Sequence, residues 1–520
     1  MSVPPDPFAP APGEVDAVAA LPVAALRRLA IVASVVAAVS LIPFAADSLR
    51  NYRYWQHFDA SPLLRAVTLQ APVQVQAPAG NAPPAPGKDE ELDDAEVAQL
   101  AGLPPAGPAA LPAPATVAAQ DAEPAALVVD AAAYGDQTVW LEGDLAWGAP
   151  LFQALIDLAH GRRNLVRIGH WGDSHIANDG ITDVTRKLLQ ARFGDGGHGF
   201  TLGQGRTEWY VHKGVVAKAS EDWRMVNFLN GNASDGAYGY GGVALDGDPG
   251  DNVVWTTPAK HPWTKALLYL RSAGKATWTV KVDAKTPAKR EVGEASGTDF
   301  VHTVAAAAGK HTLSLRLASG RGRLYGVAFE RDQGVVYDSL GEVGARGTRW
   351  NQANAEHLGA QMKLRHPDAI IINYGGNERQ DKLAEASYAK QMASVIKRLR
   401  GGRTNVACLV FGPSDHGIRQ GGDVVSDPAI VKLIHWQRKI ATEAKCLFFD
   451  TRATMGGDGA MGKWVKSGLG WSDYSHFTAL GEKAMGQATY RALLKGLADW
   501  RQLPAVGGKG AAVLPGQRLD

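Results

Sequence analysis

Four short blocks of this sequence hold residue types that do chemistry together. Ser174, in Gly172-Asp173-Ser174-His175, stands where the apolar stretch NLVRIGHWGDS ends and the helical pattern DGITDVTRKLLQARFG is about to begin. A hydroxyl there projects from the end of a strand, and its own N–H lies near a helix start, whose partial positive charge can receive an oxyanion. A lone GDS triplet is weak evidence, because turns use Gly, Asp and Ser routinely. Asp473-Tyr474-Ser475-His476 precedes the last helical pattern. Two intervening residues let the carboxylate and the imidazole meet within one turn, so Asp473 can fix the His476 tautomer whose other nitrogen deprotonates Ser174. The plain alternative is a capping Asp beside a surface His. Asn377 follows two glycines at the end of IIINYGGN, where its neutral amide can donate to developing negative charge. Gly344, in Gly341-Glu342-Val343-Gly344-Ala345-Arg346 after VVYDSL, would bring a backbone N–H close to a substrate with no Cβ in the way.

These blocks require elements that place them on one edge, and the intervening pattern supplies them. LFQALIDLAHG reads as a helix stopped by glycine, and NLVRIGH as a buried strand. GVVYDSL, DAIIINY, NVACLVF and KCLFF follow as strands separated by helical stretches, with a final helix from Thr478 to about Leu497. Repeated βα units predict an α/β fold, a flavodoxin-like, mainly parallel sheet with helices on both faces, whose ligands bind at the carboxyl ends of the strands. Residues 205–332 break the alternation. KALLYLRS, ATWTVKVDA, DFVHTVAA, HTLSLRLAS and LYGVAFER alternate with period two between turns, which predicts an inserted antiparallel β-sandwich or jelly-roll domain. Trp209, Tyr210, Trp223, Tyr238, Tyr240, Trp255 and Trp263 in or near these runs are expected to pack more than to stack on sugar rings.

Rivals for two roles exist. Gly241-Gly242 competes with Gly344, which is preferred because it ends a strand of the parallel pattern. Asp415-His416 could reach the same edge, although adjacent residues orient one another poorly. His170 and His175 flank the nucleophile and read as packing or substrate-side groups, and Asp173, Arg346 and Glu378 join His175 as candidate substrate-side residues.

The 520 residues are 45% hydrophobic and 20% charged, enough for a large core and more than one domain. Lys and Arg exceed Asp and Glu by only two (54 against 52), and no basic run is interleaved with aromatics, so nucleic acid is not expected as a partner. Cys408 and Cys446 sit in short apolar runs, where two inert core thiols are preferred over a disulfide between neighbouring strands. They lack the spacing of a metal site, and neither a metal nor an organic cofactor is implied. Residues 29–46 carry no charge and follow Arg27 and Arg28, which predicts an uncleaved transmembrane anchor in preference to a cleaved signal peptide. The domain plan is therefore a polar tail (1–28), the anchor (29–46), a Pro/Ala-rich tether (47–133), the first part of the α/β domain (134–204), the insert (205–332), its second part (333–505) and a flexible tail (506–520).

Taken in order, GDSH, GEVGA, GGNE and Asp473-x-x-His476 resemble the four blocks of the SGNH (GDSL-like) hydrolases, over most of 164–497. The resemblance implies Ser174 as nucleophile, His476 and Asp473 as base and orienter, and an oxyanion hole from the Ser174 N–H, the Gly344 N–H and the Asn377 side chain. Val343 stands where relatives commonly carry Asn, and Glu378 where Asp is often seen. The insert and tether are similar to those of membrane-anchored peptidoglycan O-acetylesterases. That likeness implies a serine esterase in the inner membrane with its catalytic domain in the periplasm, releasing O-acetyl groups from an envelope polysaccharide. A polysaccharide O-acetyltransferase using the same triad, a lipase or thioesterase, and a non-catalytic glycan-binding envelope protein are the competing readings. No long apolar lid supports the lipase.

Overall fold

The computed structural model describes residues 93–101, 123–129, 131–283, 290–294 and 297–502, all within one compact unit. Five parallel strands form its centre in the order Gly334–Gly341, Leu165–Gly172, Ala369–Asn373, Ala407–Phe411 and Leu447–Phe449. The second strand in sequence thus lies outside the first, which is the flavodoxin-like order expected of right-handed crossovers running both ways from Leu165–Gly172. Alternation along the strands divides the core. Val166, Ile168, Ile371 and Leu409 face helices Ala149–Ala159, Gly180–Phe193 and Ala479–Gln502. Trp171, Ile370, Ile372 and Val410 face Ala355–Arg365, Glu385–Leu399 and Pro428–Glu443. With both faces covered, these strands read as continuous apolar runs in the sequence.

The insert is an antiparallel sheet built on two long strands, Lys265–Val282 and His311–Glu330, whose pairing shifts register near Leu317, Ser319 and Leu324. Its sheet begins with Gly199–Thr201, a few residues before the expected boundary. It has its own core of Trp255, Trp263, Trp278, Leu313, Leu315 and Phe329. At its junction with the parallel sheet, buried Arg365 pairs with Glu330 and with Asp338 (2.7 Å), and Arg167 reaches Glu330 at 2.7 Å. Asp338 also accepts from the Tyr240 hydroxyl (3.0 Å) and the Phe200 N–H (2.8 Å), so insert residues help satisfy a carboxylate in the parallel sheet.

Two expectations change. Within the expected tether, Asp94–Leu100 is a helix capped by Asp93, and Val97, Ala101 and Leu127 lie in the core. Arg192 gathers these segments by donating to the carbonyls of Ala101 (3.1 Å), Ala126 (3.1 Å) and Val128 (2.7 Å). Cys408 and Cys446 are joined as a disulfide, not left as thiols. The register that pairs Leu409 with Leu447 puts Cys446, the residue just before its strand, beside Cys408 on the neighbouring strand. The predicted anchor, residues 29–46, lies outside the described residues, among which no helix is long and apolar enough to cross a membrane.

Candidate active site

Ser174 opens the short helix Ser174–Ala177 directly after the strand Leu165–Gly172, and Asp173 caps it by accepting the His175 N–H at 3.1 Å. The turn is tight. A Cβ on Gly172 would meet Ile176 at 2.3 Å and the Asn373 carbonyl at 3.0 Å, so only glycine fits where the strand bends into the helix. Across the site, Tyr474 takes a left-handed φ of 56°, which curls the loop until Asp473 Oδ1 accepts the N–H groups of Ser475 (2.9 Å) and His476 (3.1 Å). Asp473 Oδ2 then lies 2.6 Å from His476 Nδ1, and His476 Nε2 lies 2.9 Å from Ser174 Oγ. Burial opposes the charge on Asp473, but the hydrogen bond and charge of His476 outweigh it and hold the carboxyl near 2. A carboxylate so placed keeps a proton on Nδ1 and leaves Nε2 as the base facing the hydroxyl.

The two remaining blocks arrive at the same edge. Gly344 has φ 76° in a turn closed by the Ala345 N–H on the Glu342 carbonyl (3.1 Å), and Asn377 Nδ2 donates to the Ala345 carbonyl at 3.0 Å. The Asn side chain and the glycine turn are thus fastened together.

Three of the four candidate substrate-side residues are buried structural groups. Asp173 and His175 form a pair (3.2 Å), and His175 Nε2 donates to the Ser475 carbonyl at 3.0 Å. Burial disfavours both charges, yet the pairing holds Asp173 below and His175 above its ordinary range. The His175 ring stacks on His476 with centroids 5.5 Å apart, so it packs against the candidate base. Glu378 is 1% exposed and accepts the Gly347 N–H at 2.6 Å. Burial and the nearby charge of Asp173 push its carboxyl up to about 8, so it is a neutral acid beneath the loop. Arg346 is partly exposed and paired with Asp381 at 2.7 Å.

The rivals fall away for packing reasons. Gly241 is pressed against Phe200 and Leu202, and Gly242 against Phe228 and Trp350. Asp415 is buried against Arg452 (3.1 Å) and the Met461 N–H (2.9 Å). Burial, with Arg379 adding to it, pushes His416 down to about 3, and burial alone does the same to His170. A cavity of about 10 Å³, room for about one water, is lined in part by His170, Asp173, His175 and Asn373, next to the Ser174 turn. A far larger groove of about 1010 Å³ runs beside the hairpin Gly417–Gln420/Asp423–Ser426, and no triad residue lines it.

Asp179, His198 and His212 also converge, with His198 Nε2 2.7 Å from His212 Nδ1. The Asp179 oxygens already receive Arg186 (2.6 and 3.2 Å), the Thr182 hydroxyl (2.5 Å) and the Lys213 N–H (2.9 Å). A cation would have to displace that pairing, and the group reads as a network tying the insert to the turn after the helix Ser174–Ala177.

Arg206, which the sequence did not single out, reaches the glycine turn from the loop after Gly199–Thr201. Its guanidinium donates to the Val343 carbonyl and lies 3.4 Å from Glu342. Its only sequence signal was GQGR, an arginine directly after two closely spaced glycines. Of the singled-out aromatics, Trp223, Tyr238, Tyr240, Trp255 and Trp263 are buried, whereas Trp209 and Tyr210, on the Arg206 loop, are partly exposed.

Residues 304–484 match the GDSL-like Lipase/Acylhydrolase family, a span that takes in Gly344, Asn377, Asp473 and His476. A solved peptidoglycan O-acetylesterase is similar in fold over 69% of this chain and 98% of its own, with 21% identity and a TM-score of 0.60. A family two carbohydrate esterase from Cellvibrio japonicus matches 55% of this chain and 98% of its own, at 10% identity and a TM-score of 0.24. No curated protein sequence matches the chain significantly.

Proposed function

We propose that this chain, an SGNH-type hydrolase resembling the peptidoglycan O-acetylesterases, is a serine esterase that removes O-acetyl groups from an envelope polysaccharide, peptidoglycan first. The observation that carries the reading is the unbroken chain from Asp473 Oδ2 through His476 to Ser174 Oγ, at 2.6 and 2.9 Å. His476 Nε2 takes the Ser174 proton as Oγ attacks the ester carbonyl, and Asp473 stabilises the imidazolium. The Ser174 N–H, the Gly344 N–H and the Asn377 amide receive the oxyanion, each such donor contributing about 3 kcal/mol to the transition state. His476 returns the proton to the leaving sugar oxygen, and water activated by the same nitrogen then releases acetate from the acyl-enzyme.

Partly exposed Trp209, three residues after Arg206 on the same loop, supports a sugar-bearing substrate, since an exposed aromatic face can stack on a pyranose ring. The Cys408–Cys446 bridge supports an oxidising compartment, consistent with a periplasmic domain held by an anchor at residues 29–46. The insert, an antiparallel sheet around a tryptophan-rich core, is read as a sandwich that presents the substrate loop.

The test is p-nitrophenyl acetate turnover by the full chain and by Ser174→Ala, followed by acetate release from O-acetylated peptidoglycan. Loss of both activities in the variant is expected. Acetyl transfer to an oligosaccharide in preference to acetate release would instead assign the triad to an acetyltransferase, and full activity in Ser174→Ala would end the esterase reading.

A further inference from the structure

Gly344 sits at the third position of the four-residue turn Glu342 to Ala345, with the positive φ that a type II turn requires there. In such a turn the central peptide, here Val343–Gly344, can rotate as a unit into the type I orientation, and a glycine in it offers little steric resistance. Because the peptide is planar and trans, its C=O and N–H point in opposite directions. Flipping it would turn the Gly344 N–H away from any substrate on its present side. The orientation of one oxyanion donor therefore depends on what holds the Val343 carbonyl.

Arg206 holds it. Its Nη2 donates to Val343 O, its Nε lies 3.4 Å from Glu342 Oε2, and a Cβ on Gly344 would find Arg206 Nη2 as its nearest neighbour at 3.9 Å. Glu342 is 2% exposed, so its ion pair with Arg206 is little screened by water; burial pushes the Glu342 carboxyl up to about 7, and the Arg206 charge opposes that rise. The loop carrying Arg206 is itself fixed at two other points. The Val211 N–H donates to the Ala177 carbonyl at the end of the nucleophile helix (3.0 Å), and the Tyr210 hydroxyl accepts the Leu202 N–H (3.0 Å). On its far side, the glycine turn is fastened to Asn377 through the Ala345 carbonyl. One string of contacts thus runs from the nucleophile helix through the Arg206 loop and the glycine turn to Asn377, touching the carriers of all three oxyanion donors.

We propose that Arg206 is a positioning residue of the oxyanion hole: by gripping the Val343 carbonyl it locks the Val343–Gly344 peptide with its N–H toward the reacting carbonyl oxygen, so that the insert completes the active site. This rests on the reading of Gly344 as an oxyanion donor. A donor lost only in the transition state lowers kcat and leaves KM largely alone. Arg206→Met, which keeps the aliphatic stem and removes the grip, should lower kcat on p-nitrophenyl acetate by about 10- to 100-fold with KM within about threefold.

The full chain should be tested as wild type, Arg206→Met, Arg206→Lys and Asn377→Ala, each with its melting temperature and with oxygen and thionoester versions of the substrate. Sulfur is a poor hydrogen-bond acceptor, so a damaged oxyanion hole compresses the ratio of oxygen-ester to thionoester rates, whereas a general loss of folded enzyme leaves the ratio unchanged. Arg206→Lys, which still offers an N–H to the carbonyl, should recover much of the rate, and it serves as the test variant if the Met form melts early. A compressed ratio in Arg206→Met supports the proposal. An unchanged ratio, or a kcat within twofold of wild type, overturns it. If Asn377→Ala still loses activity in that case, the oxyanion-hole reading survives the failure of the Arg206 proposal; if Asn377→Ala is also fully active, the reading beneath it has failed.

Discussion

Replacing Asn377 by alanine separates chemistry from stability within one side chain. Its amide has two N–H bonds, of which one is engaged by the Ala345 carbonyl at 3.0 Å, leaving the other for the oxyanion. Removing an oxyanion donor in a site of this kind costs about 2.7–4 kcal/mol of transition-state stabilisation, or about 10²–10³ in kcat. The structural bond to Ala345 contributes only about 0.5–1.5 kcal/mol, which in a domain of this size lowers the melting temperature by no more than about 4 °C. Asn377→Asp sharpens the test because it keeps the shape and reverses the electrostatics. Its carboxylate would face both the Ala345 carbonyl and the developing oxyanion, and both contacts are repulsive. Steady-state p-nitrophenyl acetate kinetics on the full chain should therefore rank kcat as wild type, then Ala, then Asp, with melting curves recorded alongside. An alanine variant within tenfold of wild type, or an aspartate variant faster than alanine, would refute this reasoning.

Two further outcomes concern stability. Glu378 carries a native pKa of about 8 against an unfolded value near 4.5, so between those values the native state holds a proton that the unfolded state has released. Stability must then fall as pH rises through that window. Glu378→Gln has no proton to lose, so in denaturant titrations it should gain on wild type by up to a few kcal/mol between pH 5 and pH 8, and parallel pH dependences would refute the assignment. The Cys408–Cys446 bridge spans 38 residues, and its loss should destabilise the fold by about 4 kcal/mol on the chain-entropy estimate. That loss should appear as a reductant-dependent fall in melting temperature in wild type that is absent from the double serine variant.

The parts of the site that the sequence discloses are those whose geometry is local. Ser174 is placed by a strand end and an Asp cap within two residues, and Asp473 and His476 are joined across one turn. Residue type and spacing carry that information directly. The disulfide was hidden because its formation depends on the register of two strands that are 38 residues apart in the chain, while each cysteine alone has the apolar surroundings of a core thiol. The helix Asp94–Leu100 was hidden for another reason. Seven residues are too few to hold a helix in water, and its stability comes from burying Val97 and from Arg192, contacts with no local signature. Glu378 was a candidate substrate-side residue, but the turn after Asn377 sends its carboxyl inward to Gly347.

Arg206 shows why the insert misleads as a separate module. Between the first and second strands of the parallel sheet the chain leaves to build an antiparallel domain, and the plain expectation is an appendage joined at two points. The buried charges argue otherwise. Arg365, Glu330 and Asp338 are each at most 1% exposed, and the hydroxyl of Tyr240 and the N–H of Phe200 complete the coordination of Asp338. Leaving one member of such a group unpaired typically costs about 3–5 kcal/mol, comparable with the net stability of a whole domain. The insert is therefore held at a fixed angle to the sheet by groups that cannot be exposed singly. A fixed angle is also what a side chain on its first loop needs if it is to hold a single carbonyl beside the nucleophile to within a fraction of an ångström.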